Sequence, residues 1–346
     1  MLKPQFNWPI IGHENIINYL QQSLVSGKIA HAYLFFGPAH IGKTMVAESF
    51  VNSLICENSL KSTGKIPCQE CLHCKQMNQK THADIYWLKR EINEKTGEFK
   101  KNITIDQIRK LQSRLNTHSF LNSYKIAIIS EAETLNQEAN NSLLKTLEEP
   151  TPKTVIFLLT SRLDYLPKTI ISRCQVLKFL PVAKEQILNY LINSLKIERK
   201  EAKIFSNLAS GRPGVAINFL ANNNTFLAYK EKVDYFLDFN NQNINERFKA
   251  INSMTEISST NFIKVINSTQ EILEIWLGIL RDLILIKNSH QDIIANFFIL
   301  KKLKDTAEQY STKKIIKLIE RIKGAKRLLS ANVNPKLILE NLMLEF

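Results

Sequence analysis

The octapeptide GPAHIGKT at residues 37–44 has the spacing of a phosphate-binding loop: glycine, four residues, then glycine, lysine and threonine. In such a loop Gly37, Pro38, Ala39, His40, Ile41 and Gly42 wrap so that backbone N–H groups converge on phosphate oxygens. The positive N-terminal end of the following helix adds to the same site. Lys43 reaches the β and γ phosphates, and the Thr44 hydroxyl ligates magnesium. Downstream, KIAIISEAETL (125–135) is an apolar strand ending in Ser130 and Glu131. The first of these positions normally holds an aspartate for magnesium and the second a glutamate that polarises the attacking water. Ser130 supplies no charge, so the pattern predicts ATP binding, weakly held Mg2+ and slow or absent hydrolysis. Glu131 is a candidate base, or else a solvated carboxylate at a strand end.

A second chemistry lies in Cys56, Cys68, Cys71 and Cys74, spaced C-x11-C-x2-C-x2-C within nineteen residues. Thiolates three residues apart in a tight turn can meet on one tetrahedral ion, with Cys56 returning from the preceding helix as fourth ligand. An all-sulfur set of this kind suits a closed, structural Zn2+ site. The iron–sulfur alternative lacks its further cysteine followed by proline. His73 and His82 are expected to stay outside the ligand set, and Cys174 to be a small buried hydrophobe. Two arginines complete the candidates. Arg173, in ISRC, is either a surface arginine or one aimed at a neighbouring subunit's γ-phosphate. Arg212, in SGRPGV, is either a helix-start arginine or a nucleotide sensor.

These residues need a scaffold, and the first 180 residues alternate strand-like and helix-like segments. HAYLFF (31–36), YKIAIIS (124–130) and TVIFLLT (154–160) are continuous apolar runs of the kind buried on both faces of a parallel sheet, and VLKFLP (176–181) is a further strand closed by Pro181. Between them TMVAESFVNSLI (44–55), ITIDQIRKLQSRLNTH, with Thr104 and Gln107 spaced as a capping box, and NQEANNSLLKTLEE read as helices. The expectation is a parallel α/β sheet with helices on both sides. After Pro181 the periodicity is helical throughout. GRPG (211–214) breaks one helical pair, and DFNNQNINERF (238–248) reads as a linker or turn. Trp276, Leu277, Leu280 and Leu283–Ile286 are expected in a helical core or an intersubunit face. The layout predicted is an α/β nucleotide-binding domain over 1–180, with a zinc module at about 56–82, a small helical domain over 181–236 and a larger one over 237–346.

At 346 residues the chain exceeds one ordinary core. Its 44% hydrophobic and 23% charged residues exclude a disordered chain. No apolar run reaches the ~18 residues of a membrane span, since LEIWLGILRDLILIK is interrupted by Glu274, Arg281 and Asp282. MLKPQFNWPI lacks a signal-peptide pattern, and a cytoplasmic location is expected. Forty-six Lys and Arg against 32 Asp and Glu give 46 − 32 = +14, which suits a polyanionic partner or a solvated lysine-rich surface.

Several stretches together resemble the bacterial clamp-loader subunits of DNA polymerase III, which are AAA+ proteins. They are IIGHENIINYLQQSLVSGKIAHAYLFFGPAHIGKT, the four-cysteine insert, LLKTLEEPTPKTVIFLLT, LPKTIISRCQ, GRPG, LRDLILIK and NPKLILENLML. The resemblance implies a P-loop α/β domain with an inserted zinc module, a helical lid and a helical collar. It also implies a hetero-pentamer with gamma/tau and delta subunits that opens a sliding clamp and sets it on primed DNA. In that pattern Arg173 is an arginine finger acting in trans, Thr160 or Ser161 the first sensor and Arg212 the second, and Ile10 and Ile11, beside Trp8, contact adenine. Two types share these motifs: the gamma/tau motors, which keep the magnesium aspartate, and the stationary delta-prime type. Ser130, and a chain that ends at the collar, favour delta-prime, with little or no ATPase of its own; a catalytically active gamma/tau-type ATPase is the alternative.

Overall fold

The computed structural model describes residues 4–58, 65–93, 98–121, 123–239, 242–254, 262–331 and 333–346. Residues 1–3 of the opening stretch, 59–64 of the expected zinc module, and Asn240 and Asn241 of the asparagine-rich turn lie outside them. The chain divides into two compact units, Met1–Ile187 with Gly211–Gly214, and Leu188–Ser210 with Val215–Phe346.

Among the described residues nine strands are formed: β1 (Gln5–Phe6), β2 (Ala32–Phe36), β3 (Lys65–Ile66), β4 (Ile85–Leu88), β5 (Ile92–Asn93), β6 (Glu98–Phe99), β7 (Lys125–Ile129), β8 (Thr154–Thr160) and β9 (Gln175–Lys178). Five of them make one parallel sheet in the order β4-β7-β8-β2-β9. In β2, β7 and β8 nearly every side chain is buried, which is why their sequences are unbroken apolar runs. The strand period of two sends Tyr33, Phe35 and Phe157 to one face and Ala32, Leu34, Ile156 and Leu158 to the other. On the first face α1 (Glu14–Ser26) and α2 (Lys43–Ile55) pack over an aromatic layer in which Tyr33 stacks on Phe157 at 5.2 Å. The other face is covered by α4 (Ile105–Asn116) and α5 (Gln137–Glu148). The Thr104–Gln107 capping box is present at the start of α4.

The short strands were not readable as such. β4 is the sheet edge, only four residues long, between the polar turn at His82–Asp84 and Lys89–Arg90. β5 and β6 form an antiparallel pair, and β1 pairs in parallel with β3, tying the N-terminal segment to the cysteine insert. The insert also carries α3 (Leu72–Asn78), and α6 (Lys168–Ile171) precedes the Arg173 turn. Asp84, fully buried, caps the turn before β7 by accepting from the N–H groups of Phe120 (2.9 Å) and Leu121 (3.0 Å) and from the Ser119 hydroxyl (3.0 Å).

Beyond Lys178 no strand occurs among the described residues. The helices are α7 (Lys184–Asn193), α8 (Arg199–Ala209), α9 (Pro213–Ala221), α10 (Asn223–Asp238), α11 (Ile244–Met254), α12 (Phe262–Lys287), α13 (Leu300–Gln309), α14 (Thr312–Ser330) and α15 (Pro335–Met343). Ser210, Gly211 and Arg212 separate α8 from α9, which takes in Pro213 and Gly214 of GRPG, and Asn222 caps α10 by accepting from the Asn224 N–H (3.1 Å). The expected boundary at 236/237 falls within α10, and Ile244–Phe248 of the expected linker are already helical. Trp276, Leu280 and Leu283 are fully buried, and Trp276 meets Phe236, Phe239 and Phe346, so the apolar stripe of α12 is core.

One polar group in that core is structural. Asp282, fully buried on α12, accepts from the N–H of Ala295 (3.1 Å), the N–H of Asn296 (2.9 Å) and the Asn296 side-chain amide (2.8 Å). Burial pushes its carboxyl up and these donors pull it back. Asp282→Ala strands three buried donors, and a loss of about 3 kcal/mol in denaturant unfolding is expected. A change under about 0.5 kcal/mol, the range of an ordinary surface substitution, would show that the cluster is not a clamp.

Candidate functional site

All five strands of the parallel sheet run the same way, so their C-terminal ends share one edge, where α/β folds bind ligands. The loop 37–42 leaves β2 there, between β8 and β9. Gly37 N–H donates to the Thr160 carbonyl (3.2 Å), and Phe179 N–H donates to the Phe36 carbonyl (2.7 Å). The glycines are needed for different reasons. A Cβ on Gly37 would lie 2.6 Å from the Phe179 carbonyl, whereas Gly42 has open space but a φ of 111°. Gly42 opens α2, and Val46 N–H closes the first helical turn on it (3.0 Å).

Lys43 is half-buried, and its ammonium donates to the carbonyls of Gly37 (2.6 Å) and Pro38 (2.8 Å). Burial lowers its pKa to about 8, partly offset by the charge of Glu133. Thr44 is exposed on the first turn of α2. His13, at the start of α1, steadies the loop from below with a ring nitrogen 3.0 Å from the Ile41 carbonyl and an edge contact to Phe179.

On the other side the Gly211–Gly214 segment docks on the loop. Gly214 N–H donates to the His40 carbonyl (2.9 Å), and Val182 N–H donates to the Gly211 carbonyl (2.8 Å). A Cβ at Gly214 would lie 2.7 Å from the His40 carbonyl, so a glycine is required for that approach. This docking brings half-buried Arg212 to the loop's neighbourhood. Ile10 is half-buried against the aromatic layer and Ile11 is half-buried beside Gly12, while the Trp8 indole N–H donates to the Ser53 hydroxyl (2.8 Å).

At the end of β7, Ser130 is followed by Glu131 with φ 52°, a left-handed backbone that costs an L residue roughly 1–2 kcal/mol. The Glu131 carboxylate accepts from Arg90 Nε at 2.7 Å. Its candidate base role therefore meets a competing partner, 41 residues away in sequence. Two residues on, Glu133 Oε1 accepts from the hydroxyl (2.6 Å) and N–H (3.2 Å) of Ser161. Of the two first-sensor candidates, Thr160 is buried and its hydroxyl closes a turn with the N–H (3.0 Å) and carbonyl (3.2 Å) of Arg162, while Ser161 is exposed and bonded to Glu133. Glu133 and Arg90 were missed by sequence reasoning. The E-A-E spacing at 131–133, which returns a second carboxylate to the site over one short turn, was the available signal for Glu133.

Arg173 lies on the same unit, with Nη2 in an ion pair with Glu148 Oε1 (2.6 Å) and Nη1 donating to the Thr169 carbonyl (2.9 Å). Its side chain is 35% exposed. Cys174 beside it is half-buried, and burial pushes its thiol up to about 12.

The four sulfurs of Cys56, Cys68, Cys71 and Cys74 lie within 4.8 Å of one another, and no other group of three or more His, Cys, Asp or Glu ligand atoms is gathered so closely among the described residues. A tetrahedron with Zn–S bonds of about 2.3 Å has sulfur–sulfur edges near 3.8 Å, and Cys68 and Cys74 stand 3.9 Å apart. The N–H groups of Cys68, Cys71 and Cys74 point at the sulfurs of Cys56 (3.4 Å), Cys68 (3.3 Å) and Cys71 (3.5 Å), the fold of a tight cysteine turn. The donor set and its spacing fit a structural zinc. His73 and His82 instead face each other, 2.8 Å apart.

Two family models match: "DNA polymerase III, delta subunit" over residues 12–183, and the C-terminal part of the same subunit over 241–346. The chain belongs to the DNA polymerase III clamp-loader subunits. This clamp-loader subunit is 28% identical to the delta' subunit of Bacillus subtilis over 329 residues, 95% of this chain and 94% of that one. It is 32% identical to the B. subtilis tau subunit over 225 residues and 32% identical to a Buchnera aphidicola gamma subunit over 189. It spans 38% and 49% of the length of those two relatives. A gamma subunit-related protein from Thermotoga maritima overlays 96% of the chain at a TM-score of 0.44 and 19% identity. That overlay is too loose to carry weight. The AAA+ type fold of this clamp-loader subunit, a P-loop α/β sheet followed by a helical C-terminal region, stands on its own sheet order and loop.

Proposed function

We propose that the chain is the stationary, delta-prime-type member of its clamp loader. It binds ATP with little or no turnover of its own and lends Arg173 to a neighbouring subunit's γ-phosphate. The assembly is a hetero-pentamer with gamma/tau and delta subunits, acting in the cytoplasm to set a sliding clamp on primed DNA, with the helical part serving as lid and collar. The observation that carries the reading is the asymmetry of the site. The phosphate loop and Lys43 are complete, while the strand end offers Ser130 and a Glu131 engaged by Arg90. The clustered cysteines support a zinc of purely structural role. An intact loop also fits a gamma-type motor, the second reading, which requires appreciable hydrolysis by the isolated chain that disappears in Glu131→Gln.

Melting with and without ATP tests the loop. At a ligand concentration about 100 times Kd, binding to the folded state adds about 2.7 kcal/mol, a readily measured rise in Tm. Lys43→Ala should remove the rise, and a wild-type chain showing none would sink the ATP reading.

The affinity should also depend on pH with a defined sign. Lys43 in the free protein titrates near 8, below its ordinary 10.5, and a triphosphate favours its charged form. Affinity is then flat below about pH 8 and falls as pH rises through it, by about tenfold between pH 8 and 9.5. Lys43→Arg, whose guanidinium stays charged over this range, should lack this slope.

A further inference from the structure

Ser130 leaves the site one carboxylate short of what a magnesium–nucleotide complex ordinarily meets, and the fold brings a different one to the same place. Glu133 sits in the single 3-10 turn Ala132–Thr134 that follows β7. Thr134 closes that turn by donating its N–H and hydroxyl to the Glu131 carbonyl, both at 2.8 Å. One Glu133 oxygen is fixed by Ser161, through 2.6 Å and 3.2 Å bonds from its hydroxyl and N–H. The other, Oε2, is buried and has no hydrogen-bond partner. A buried carboxylate oxygen without a donor is costly, and a cation is what offsets that cost.

Ser161 follows Thr160, whose carbonyl accepts from Gly37 N–H (3.2 Å), so Glu133 is tied beside the phosphate loop, and the Lys43 ammonium feels its charge. Yet the Lys43 ammonium is engaged with the carbonyls of Gly37 and Pro38, leaving Glu133 Oε2 to something else. Thr44, the loop hydroxyl that a magnesium ion uses, lies next to Lys43 on the exposed first turn of α2. A hard divalent ion takes oxygen ligands and keeps several of its waters, so a carboxylate one methylene longer and three residues later than the usual aspartate can serve it.

We propose that Glu133 supplies the carboxylate toward the divalent cation of a bound Mg-ATP, standing in for the aspartate that Ser130 replaces, with Ser161 holding it in register. The assignment rests on the ATP reading above and adds to it a cation-binding residue. It also separates two jobs that neighbouring strand-end positions usually share. Glu133 serves binding, while Glu131 stays paired with Arg90. The rival account of Glu133 is purely structural: it pins the Ser161 turn and nothing more. Glu133→Gln divides the two, because a glutamine keeps the acceptor for Ser161 and the side-chain volume but loses the charge.

The test is titration of the full chain with a fluorescent ATP analogue, in excess Mg2+ and in EDTA, for wild type, Glu133→Gln, and Glu133→Gln combined with Ser130→Asp. For wild type, Mg2+ should tighten binding by about tenfold or more. In Glu133→Gln that enhancement should vanish, while affinity in EDTA holds or improves, which also shows the pocket to be formed. Adding Ser130→Asp should restore the enhancement. Mn2+ in place of Mg2+, read by the loss of free-ion signal in electron paramagnetic resonance, should follow the same order in the presence of ATP. An unchanged enhancement in Glu133→Gln, or a wild type whose binding ignores Mg2+, overturns the assignment and leaves the ATP reading standing. A wild type that binds no nucleotide in either condition removes both.

Discussion

Arg173→Ala in the reassembled clamp loader is expected to lower ATP turnover by about 10³-fold or more, the usual worth of an arginine finger. The same substitution should leave ATP-dependent melting of the isolated chain unchanged if, as proposed, the guanidinium serves a neighbour's phosphate rather than its own. Arg173→Lys should recover little, since an ammonium lacks the planar fork that meets two phosphate oxygens at once. In the chain by itself the guanidinium is held by Glu148 (2.6 Å) and the Thr169 carbonyl (2.9 Å). A half-exposed pair of this kind is worth about 0–1 kcal/mol, so a triphosphate displaces it at little cost. Glu148→Ala should therefore leave turnover of the complex intact or raise it by up to about fivefold. Turnover within about twofold of wild type in Arg173→Ala would end the trans reading.

Removal of the zinc that the cysteine cluster is proposed to hold is the second large effect expected. Structural zinc in small cysteine modules contributes on the order of 10 kcal/mol at neutral pH, so a strong chelator or Cys68→Ser should unfold the insert rather than loosen it. Metal analysis should fall from one zinc per chain to none. The damage should spread along a defined route. β3, inside the insert, pairs with β1, and Asn7 N–H donates to the Ile66 carbonyl (2.9 Å). The next residue, Trp8, donates its indole N–H to the Ser53 hydroxyl on α2 at 2.8 Å. Losing the insert should therefore expose Trp8 and shift its fluorescence to the red. A chain that keeps its Trp8 emission after complete demetallation would show the insert to be stable on its own thiols.

How far the sequence could be read depended on how local each cause was. TVIFLLT could only be a strand buried on both faces, and β8 has those bounds because every one of its side chains is buried. Thr104 and Gln107 announced the start of α4 because a capping box is complete within four residues. IYWL did not announce β4, since four residues at a sheet edge leave too short a pattern and its partner β7 lies forty residues on. The site divides in the same way. GPAHIGKT fixes its own geometry through glycine and a helix start, and the cysteines through spacing. Glu131 with Arg90 and Glu133 with Ser161 are pairings made by the sheet, which brings the ends of β4, β7 and β8 together, and Arg173 with Glu148 is made by the packing of α6 on α5. A list of residue types shows each partner; only the register of β4 and β8 against β7, and the packing of α6 on α5, show that they meet.

The burial of Cys174 bears on how this chain can be handled in the laboratory. Thiols react with maleimides as thiolates, and a group titrating near 12 is almost wholly protonated at pH 7. The other four of the five cysteines are gathered in the cluster at Cys56–Cys74, where a bound metal would occupy them. The zinc-loaded chain should accordingly resist modification without any engineered removal of native cysteines. A single new cysteine at an exposed position, such as Leu337 or Phe120, would then take a fluorophore alone, giving a reporter for following assembly of the ring in real time.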